Sequence, residues 1–143
     1  MKSIVIGTKL SDHVEISVLG YERMPSGDYY DDNWLSCQVQ AKAGAFSGGF
    51  AANFLTGELF GLYEGLQKLY RDLKGDISFD PMESQLVLNF KCDNLGHIRV
   101  LGFARDQAGT GNKLSIDMSF DQTHLDTLLT SLGELMRAYP VRT

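Results

Sequence analysis

The chain has 143 residues, 43% hydrophobic and 22% charged, with 18 acidic against 13 basic side chains and a net charge of −5 at neutral pH. That length suits one domain with a sizeable core, and that composition excludes a disordered chain. The acidic balance argues against a nucleic-acid binder, which needs a basic stripe to neutralise phosphates, and it suits a basic partner.

Strand signals come first. Ile4 to Ile6 reads as a short strand, and Val14, Ile16 and Val18 alternate with Glu15 and Ser17, the two-residue period of a half-buried strand. A polar, turn-rich segment, Glu22 to Asn33, follows. Leu35, Cys37, Val39, Ala41 and Ala43 alternate with polar residues in the clearest strand of the chain. Gly44 makes a turn, and Phe46, Phe50, Ala52 and Phe54 line the next strand, where Gly48 and Gly49 predict a bulge or sharp bend.

The segment Leu55 to Lys74 predicts a long amphipathic helix. Leu59, Leu62, Tyr63, Leu66, Leu69, Tyr70 and Leu73 form one apolar stripe, with Thr56 as N-cap, Leu55 and Phe60 as a hydrophobic staple, and Gly75 as the stop. Strands then return at Ile77 and Phe79, where Pro81 marks an edge or an end, and at Leu86 to Cys92. Asp93-Asn94-Leu95-Gly96 has the residue types of a hairpin turn before the strand carrying Ile98, Val100, Gly102 and Ala104. Leu101 and Phe103 on its other face suggest cover on both sides. Asp106 to Asn112 reads as a mobile connection to a last strand with Leu114, Ile116, Met118 and Phe120. Asp121 or Thr123 caps a second helix with the stripe Leu125, Leu128, Leu129, Leu132, Leu135, Met136 and Tyr139, ended by Pro140.

The expectation is a single α+β domain over residues 1–143. It is a strongly curved antiparallel sheet, or half-barrel, of seven to eight strands packed by two helices in the order ββββα–ββββα. The two halves are too dissimilar in sequence to claim a repeat. No apolar run approaches the roughly 20 residues of a membrane span. Residues 1–9 lack the apolar core of a secretory signal, so a cytoplasmic protein is expected, with Cys37 and Cys92 as buried free thiols.

No catalytic constellation emerges. His13, His97 and His124 form no spaced cluster with the cysteines, so no zinc signature exists, and they read as surface or capping residues. Gly109-Thr110-Gly111 precedes a strand and offers no helix N-terminus to a phosphate. Two features stand above background. In Asp28-Tyr29-Tyr30-Asp31-Asp32-Asn33-Trp34, three acids are interleaved with three aromatics at the end of a long connection. Aromatics anchor interfaces and acids steer a basic partner, although a solvated loop with Trp34 in the core fits equally well. Adjacent aspartates could bind a divalent metal, but the oxygen-ligand pattern for one is missing. Gly57, Gly61 and Gly65 recur every four residues opposite the leucine stripe, as close approach by another segment or partner would require, or as tolerated surface glycines.

An ordered series of short motifs resembles the Wap-type immunity proteins. It comprises Asp32-Asn33-Trp34-Leu35, Gly44-Ala45-Phe46-Ser47-Gly48, Thr56-Gly57-Glu58-Leu59 and Leu69-Tyr70-Arg71-Asp72-Leu73-Lys74-Gly75. It continues with Gly96-His97-Ile98-Arg99-Val100, Asp121-Gln122-Thr123-His124-Leu125 and Tyr139-Pro140-Val141-Arg142, covering nearly the whole chain from about residue 20. The resemblance implies a small cytosolic antitoxin of a bacterial polymorphic toxin system, non-enzymatic and without cofactor or metal. Such a protein neutralises a cognate toxin domain, frequently a nuclease, by tight binding.

Asp28, Tyr29, Tyr30, Asp31, Asp32 and Trp34 are then the expected partner-binding residues, with no nucleic-acid or membrane partner and with homo-oligomerisation left open. The alternative is a small-molecule-binding or enzymatic domain with a pocket inside the curved sheet; His97, Arg99 or Asp117 lining such a pocket would favour it.

Overall fold

A computed structural model describes all 143 residues, Met1 to Thr143. The elements are β1 (Lys2–Gly7), β2 (His13–Tyr21), α1 (Tyr29–Asp32), β3 (Trp34–Ala43), β4 (Phe46–Leu55), α2 (Thr56–Asp72), β5 (Gly75–Phe79), β6 (Leu86–Cys92), β7 (His97–Gln107), β8 (Thr110–Asp121) and α3 (Gln122–Ala138). The fold is α+β with eight antiparallel strands. The strands form two four-stranded sheets, β1-β2-β3-β4 and β5-β6-β7-β8, rather than one curved sheet. The break falls at α2, because a 17-residue helix carries the chain away from the edge of the first sheet instead of turning it back. A third helix, the single turn α1, forms inside the polar segment.

Each sheet is apolar on one face. Register places Ile16 opposite Val39 and Leu35 opposite Phe54 in the first sheet, and Phe90 opposite Val100 and Val100 opposite Met118 in the second. The alternating positions face outward and are mostly polar, as expected of antiparallel sheets covered on one side. The expected cover over both faces of β7 is not found: Leu101 is exposed, and the Lys113 ammonium sits 4.3 Å from the centre of the half-buried Phe103 ring.

The halves share a layout that their sequences conceal. α2 packs on β5, the first strand of the second half, and α3 packs on β1, the first strand of the first half. Where the sheets approach, β3 meets β8 and β4 meets β7, and the two helices pack on each other. The inner sheet faces and both helix stripes form one core cluster of 31 buried residues. Gly133 lets the helices approach closely, since a Cβ there would stand 2.9 Å from the Tyr63 hydroxyl. Gly102 does the same for strands, since its Cβ would overlap the Val87 carbonyl oxygen at 1.9 Å.

Local details depart from the sequence reading at several points. The helix begins at Thr56, and Glu58 in its first turn accepts from the Leu55 N–H at 2.8 Å, while the Thr56 hydroxyl is turned elsewhere. Phe60 is 40% exposed, so no buried staple forms. The helix ends at Asp72, and its C-cap is Leu73, two residues before Gly75, in the left-handed conformation (φ 51°) with its N–H donating to the Leu69 carbonyl at 2.8 Å. The β4 register runs without a shift past Gly48 and Gly49, and the first sheet's irregularity lies instead in β2, between Val18 and Gly20. Residues 106–112 form a tight β7–β8 hairpin in which Gln107 pairs with Thr110 and Gly109 takes φ 73°. Their polar, glycine-rich composition signals a turn as readily as a long loop.

The stripe of α2 is buried through Leu59, Leu62, Leu66 and Leu69, with Tyr63 packed against the core, whereas the expected members Tyr70 and Leu73 are exposed. Burying one leucine fully contributes about 1.5–3 kcal/mol. Leu66→Ala, at a fully buried site, should destabilise the protein by about 2–5 kcal/mol in a denaturant melt, and a loss under about 1 kcal/mol would mean that the core closes without it.

Cys37 and Cys92 are buried free thiols in different sheets. Burial pushes the Cys37 thiol up to about 12, and burial together with the Asp93 charge raises Cys92. Alkylation should be slow in the native state and give two adducts after unfolding; a product lighter by two hydrogens that takes no label would reveal a disulfide instead. The folded state keeps the Cys37 proton up to about 12, against an ordinary 9.0, so the unfolded chain loses it first. Stability should therefore fall as pH rises from 9 toward 12, with the Cys37→Ala variant showing a shallower decline.

Candidate functional site

The segment between β2 and β3 is built by its own carboxylates. Asp28 caps α1 by accepting from the Asp31 amide at 3.1 Å. Asp32, at the other end of the turn, is 6% exposed. It accepts from the Ser26 amide at 2.9 Å, the Gly27 amide at 2.8 Å and the Ser26 hydroxyl at 3.0 Å, with the Arg23 guanidinium at 3.4 Å. Burial alone would push this carboxyl up; the two amides, the hydroxyl and Arg23 outweigh it and hold it below the ordinary carboxylate range. Asp32 is thus occupied in shaping the loop.

Asn33 ties that loop to the rest of the molecule. Its side chain is buried and uses all its hydrogen-bonding capacity. The amide donates to the Tyr29 carbonyl at 2.7 Å and the Arg142 carbonyl at 2.9 Å, and the oxygen accepts from the Thr56 hydroxyl at 2.6 Å and the Arg142 amide at 2.8 Å. Its backbone carbonyl also accepts from the Thr56 amide at 2.9 Å. The Arg142 guanidinium lies 3.4 Å from the centre of the Tyr21 ring and donates to the carbonyls of Arg23 and Asp32 at 3.0 and 3.3 Å. The Tyr21 hydroxyl donates to the Pro140 carbonyl. One clamp therefore joins the start of α2, the C-terminal residues and α1. Three separate sequence motifs, around Asn33, Thr56 and Arg142, meet in it.

The clamp leaves a defined set of side chains facing outward. Tyr29 and Tyr30 are 52% and 60% exposed, with ring centres 5.5 Å apart, edge to face. Asp28 and Asp31 are exposed beside them, Asp31 within 3.4 Å of Arg23. Trp34 is half-buried at the start of β3, opposite Leu55. Of the six residues singled out from sequence, four therefore form an exposed acidic and aromatic surface, Asp32 lies beneath it, and Trp34 lies at its margin. The surface continues onto α2: a Cβ on Gly57 would stand 3.8 Å from the Tyr29 hydroxyl, and Phe60 is exposed one turn further on. Sequence reading missed Phe60 as a surface residue because its helical spacing also fits a staple, and it missed Asn33 and Arg142 because 109 positions separate them.

The glycines of α2 divide by position. Gly65 is required, since a Cβ there would meet Ile77 of β5 at 2.9 Å, whereas Gly61 faces open space. The pocket expected by the alternative reading is not formed by the named residues. Arg99 and Asp117 make a two-point ion pair at 3.0 and 3.2 Å on the exposed face of the second sheet. His97 and Arg99 border an open depression of about 370 Å³ on the surface, while the space between the sheets is filled by the core cluster. A more apolar cleft of about 270 Å³, edged by Phe46, Phe50 and Leu114, separates the tips of the β3–β4 and β7–β8 hairpins. His97 pairs with Asp93 at 3.2 Å and His124 with Asp121 at 3.3 Å, both at the surface. No group of three or more His, Cys, Asp or Glu side chains is arranged to hold a metal ion, and no helix is long and apolar enough to cross a membrane.

Because the Asp32 carboxyl titrates below its unfolded value, its contribution is present above the ordinary carboxylate range and is lost as pH falls through the lowered folded value. The protection of the Ser26 and Gly27 amides, taken relative to their intrinsic exchange at each pH, should therefore fall on acidification before that of the core amides, and Asp32→Asn should show the lower protection already at neutral pH. Protection at Ser26 and Gly27 that ignores both changes would rule out this role for Asp32.

No curated protein and no solved structure is matched by the chain. The family model described as the immunity protein WapI-like family matches residues 5–140, a span that runs from β1 to the proline whose carbonyl Tyr21 holds. The chain thus belongs to the WapI-like immunity protein family.

Proposed function

We propose that this protein acts by binding rather than by catalysis. Its role is to neutralise the cognate toxin domain of a bacterial polymorphic toxin system, in the cytoplasm, by covering a basic surface of that domain. Family membership supports an immunity function in general. The observation that carries the finer reading is the exposed group Asp28, Tyr29, Tyr30 and Asp31, held on a clamped helical turn in a chain of net charge −5. Carboxylates on such a surface steer a cationic partner, and a nuclease, which must hold phosphates, presents such a cationic face. The tyrosines bury a large area at little entropic cost and slow dissociation. Asp32 and Trp34 support the surface from beneath and beside it.

The double variant Asp28→Asn, Asp31→Asn tests this reading, because Asp32 stays in place and the loop keeps its shape. Association with the cognate toxin domain should slow by about tenfold at low salt and lose most of its salt dependence. Thermal stability should hardly change, since exposed charges contribute little. A variant that associates at the parent's rate at both salt concentrations, and protects cells as well, would place the interface elsewhere.

A further inference from the structure

We propose that the outward face of α2, between α1 and the β5–β6 connection, is a socket in this interface that accepts one lysine or arginine side chain of the toxin domain. The proposal rests on the immunity reading and gives its surface a specific point of recognition. A groove of about 260 Å³ runs there, floored by Gly57 and Gly61 and walled by Ser78, Asp80 and Pro81. It is continuous with the tyrosine surface through the approach of Tyr29 to Gly57.

The groove is complementary to a cation. Glu58 and Asp80 line it, and no basic residue does. The Glu58 carboxylate is fixed at both oxygens by backbone amides, Leu55 at 2.8 Å and Met82 at 2.6 Å, so its charge is held in position and the β5–β6 connection is pinned to the helix. Asp80 is exposed and enters no ion pair within the chain. A cationic head placed there would meet one preorganised and one free carboxylate.

Gly61 is the second line of argument. Glycine inside a helix is unfavourable relative to alanine, and nothing in this chain asks for it, because a Cβ at Gly61 has no neighbour within 4 Å. Gly65, one turn later, is explained by Ile77. The open volume above Gly61 therefore serves something outside the chain. Commitment to a basic side chain follows from the charge of the lining.

The test compares four proteins with the parent against the immobilised cognate toxin domain, together with their melting temperatures. Gly61→Ala and Gly61→Gln should melt at or above the parent temperature, because both favour the helix and meet open space. Gly61→Gln fills the groove and should dissociate at least about tenfold faster, a change of about 1.4 kcal/mol or more, with Gly61→Ala intermediate. Asp80→Asn should also dissociate faster and respond less to salt. If Gly61→Gln and Asp80→Asn dissociate like the parent while the Asp28→Asn, Asp31→Asn variant associates slowly, the socket is wrong and the immunity surface stands. If the parent binds and none of the variants differs from it, or if the parent itself does not bind, both fall. Lower melting temperatures for the Gly61 variants would show that the glycine serves the fold and would likewise overturn the socket.

Discussion

Each half of this protein makes a sheet with one apolar face and then sends its helix to the other half. The first sheet alone would leave Ile4, Ile16, Val39 and Phe54 open to water, and α2 follows it in sequence, yet α2 settles on β5 while α3 returns to β1. Burial of apolar area is the dominant favourable term in folding, so neither half can bury its own face and stand alone. The shared cluster of 31 residues follows from this exchange. The close contact of Gly133 with the Tyr63 hydroxyl belongs to it as well, because α3 and α2 meet where each crosses to the other half.

The exchange also explains why so much of the polar chemistry gathers near α1. The chain leaves α3 beside β1 and Tyr21, bringing Tyr139 and Tyr21 into edge contact at 5.7 Å and carrying Arg142 to Asn33. An asparagine buried there would be costly without partners. With four side-chain hydrogen bonds it becomes a rigid joint. Rigidity matters for a binding surface, because side chains already held in place lose less freedom when a partner arrives. Tyr29 and Tyr30 sit on a turn whose carbonyl is gripped by Asn33 and whose C-terminal carboxylate is locked into the loop.

Two exposed surfaces carry clusters of paired and unpaired charges. The exposed face of the second sheet carries Lys91, Arg99, Arg105 and Lys113 around Leu101 and Phe103, with Asp76 opposite Lys91 in the register and Asp117 paired with Arg99. The α1 and α2 surface carries Asp28, Asp31, Glu58 and Asp80. Carboxylates grouped on a surface attract an approaching cation, which favours productive encounters over random ones.

Much of the fold was legible because it depends on local periodicity. The alternations in β2, β3, β6 and β8, most of the leucine stripes of α2 and α3, and the turn glycines Gly44 and Gly96 declare themselves over a few residues and are present in the structure, which also chooses Asp121 over Thr123 as the cap of α3. The acidic and aromatic run around Tyr29 was also visible as composition. What the sequence by itself could not determine were relations between distant residues. Whether eight strands make one sheet or two turns on where α2 goes, and that depends on which apolar face is left uncovered elsewhere. Asp28, Asp31 and Asp32 look alike in a row, yet Asp32 alone faces the amides of Ser26 and Gly27, because the helical turn rotates it inward. Gly61 and Gly65 look alike as well, and only the placement of Ile77 separates them. The tertiary structure decided these, since burial and hydrogen bonding are properties of what surrounds a residue, and the surroundings arrive from far along the chain.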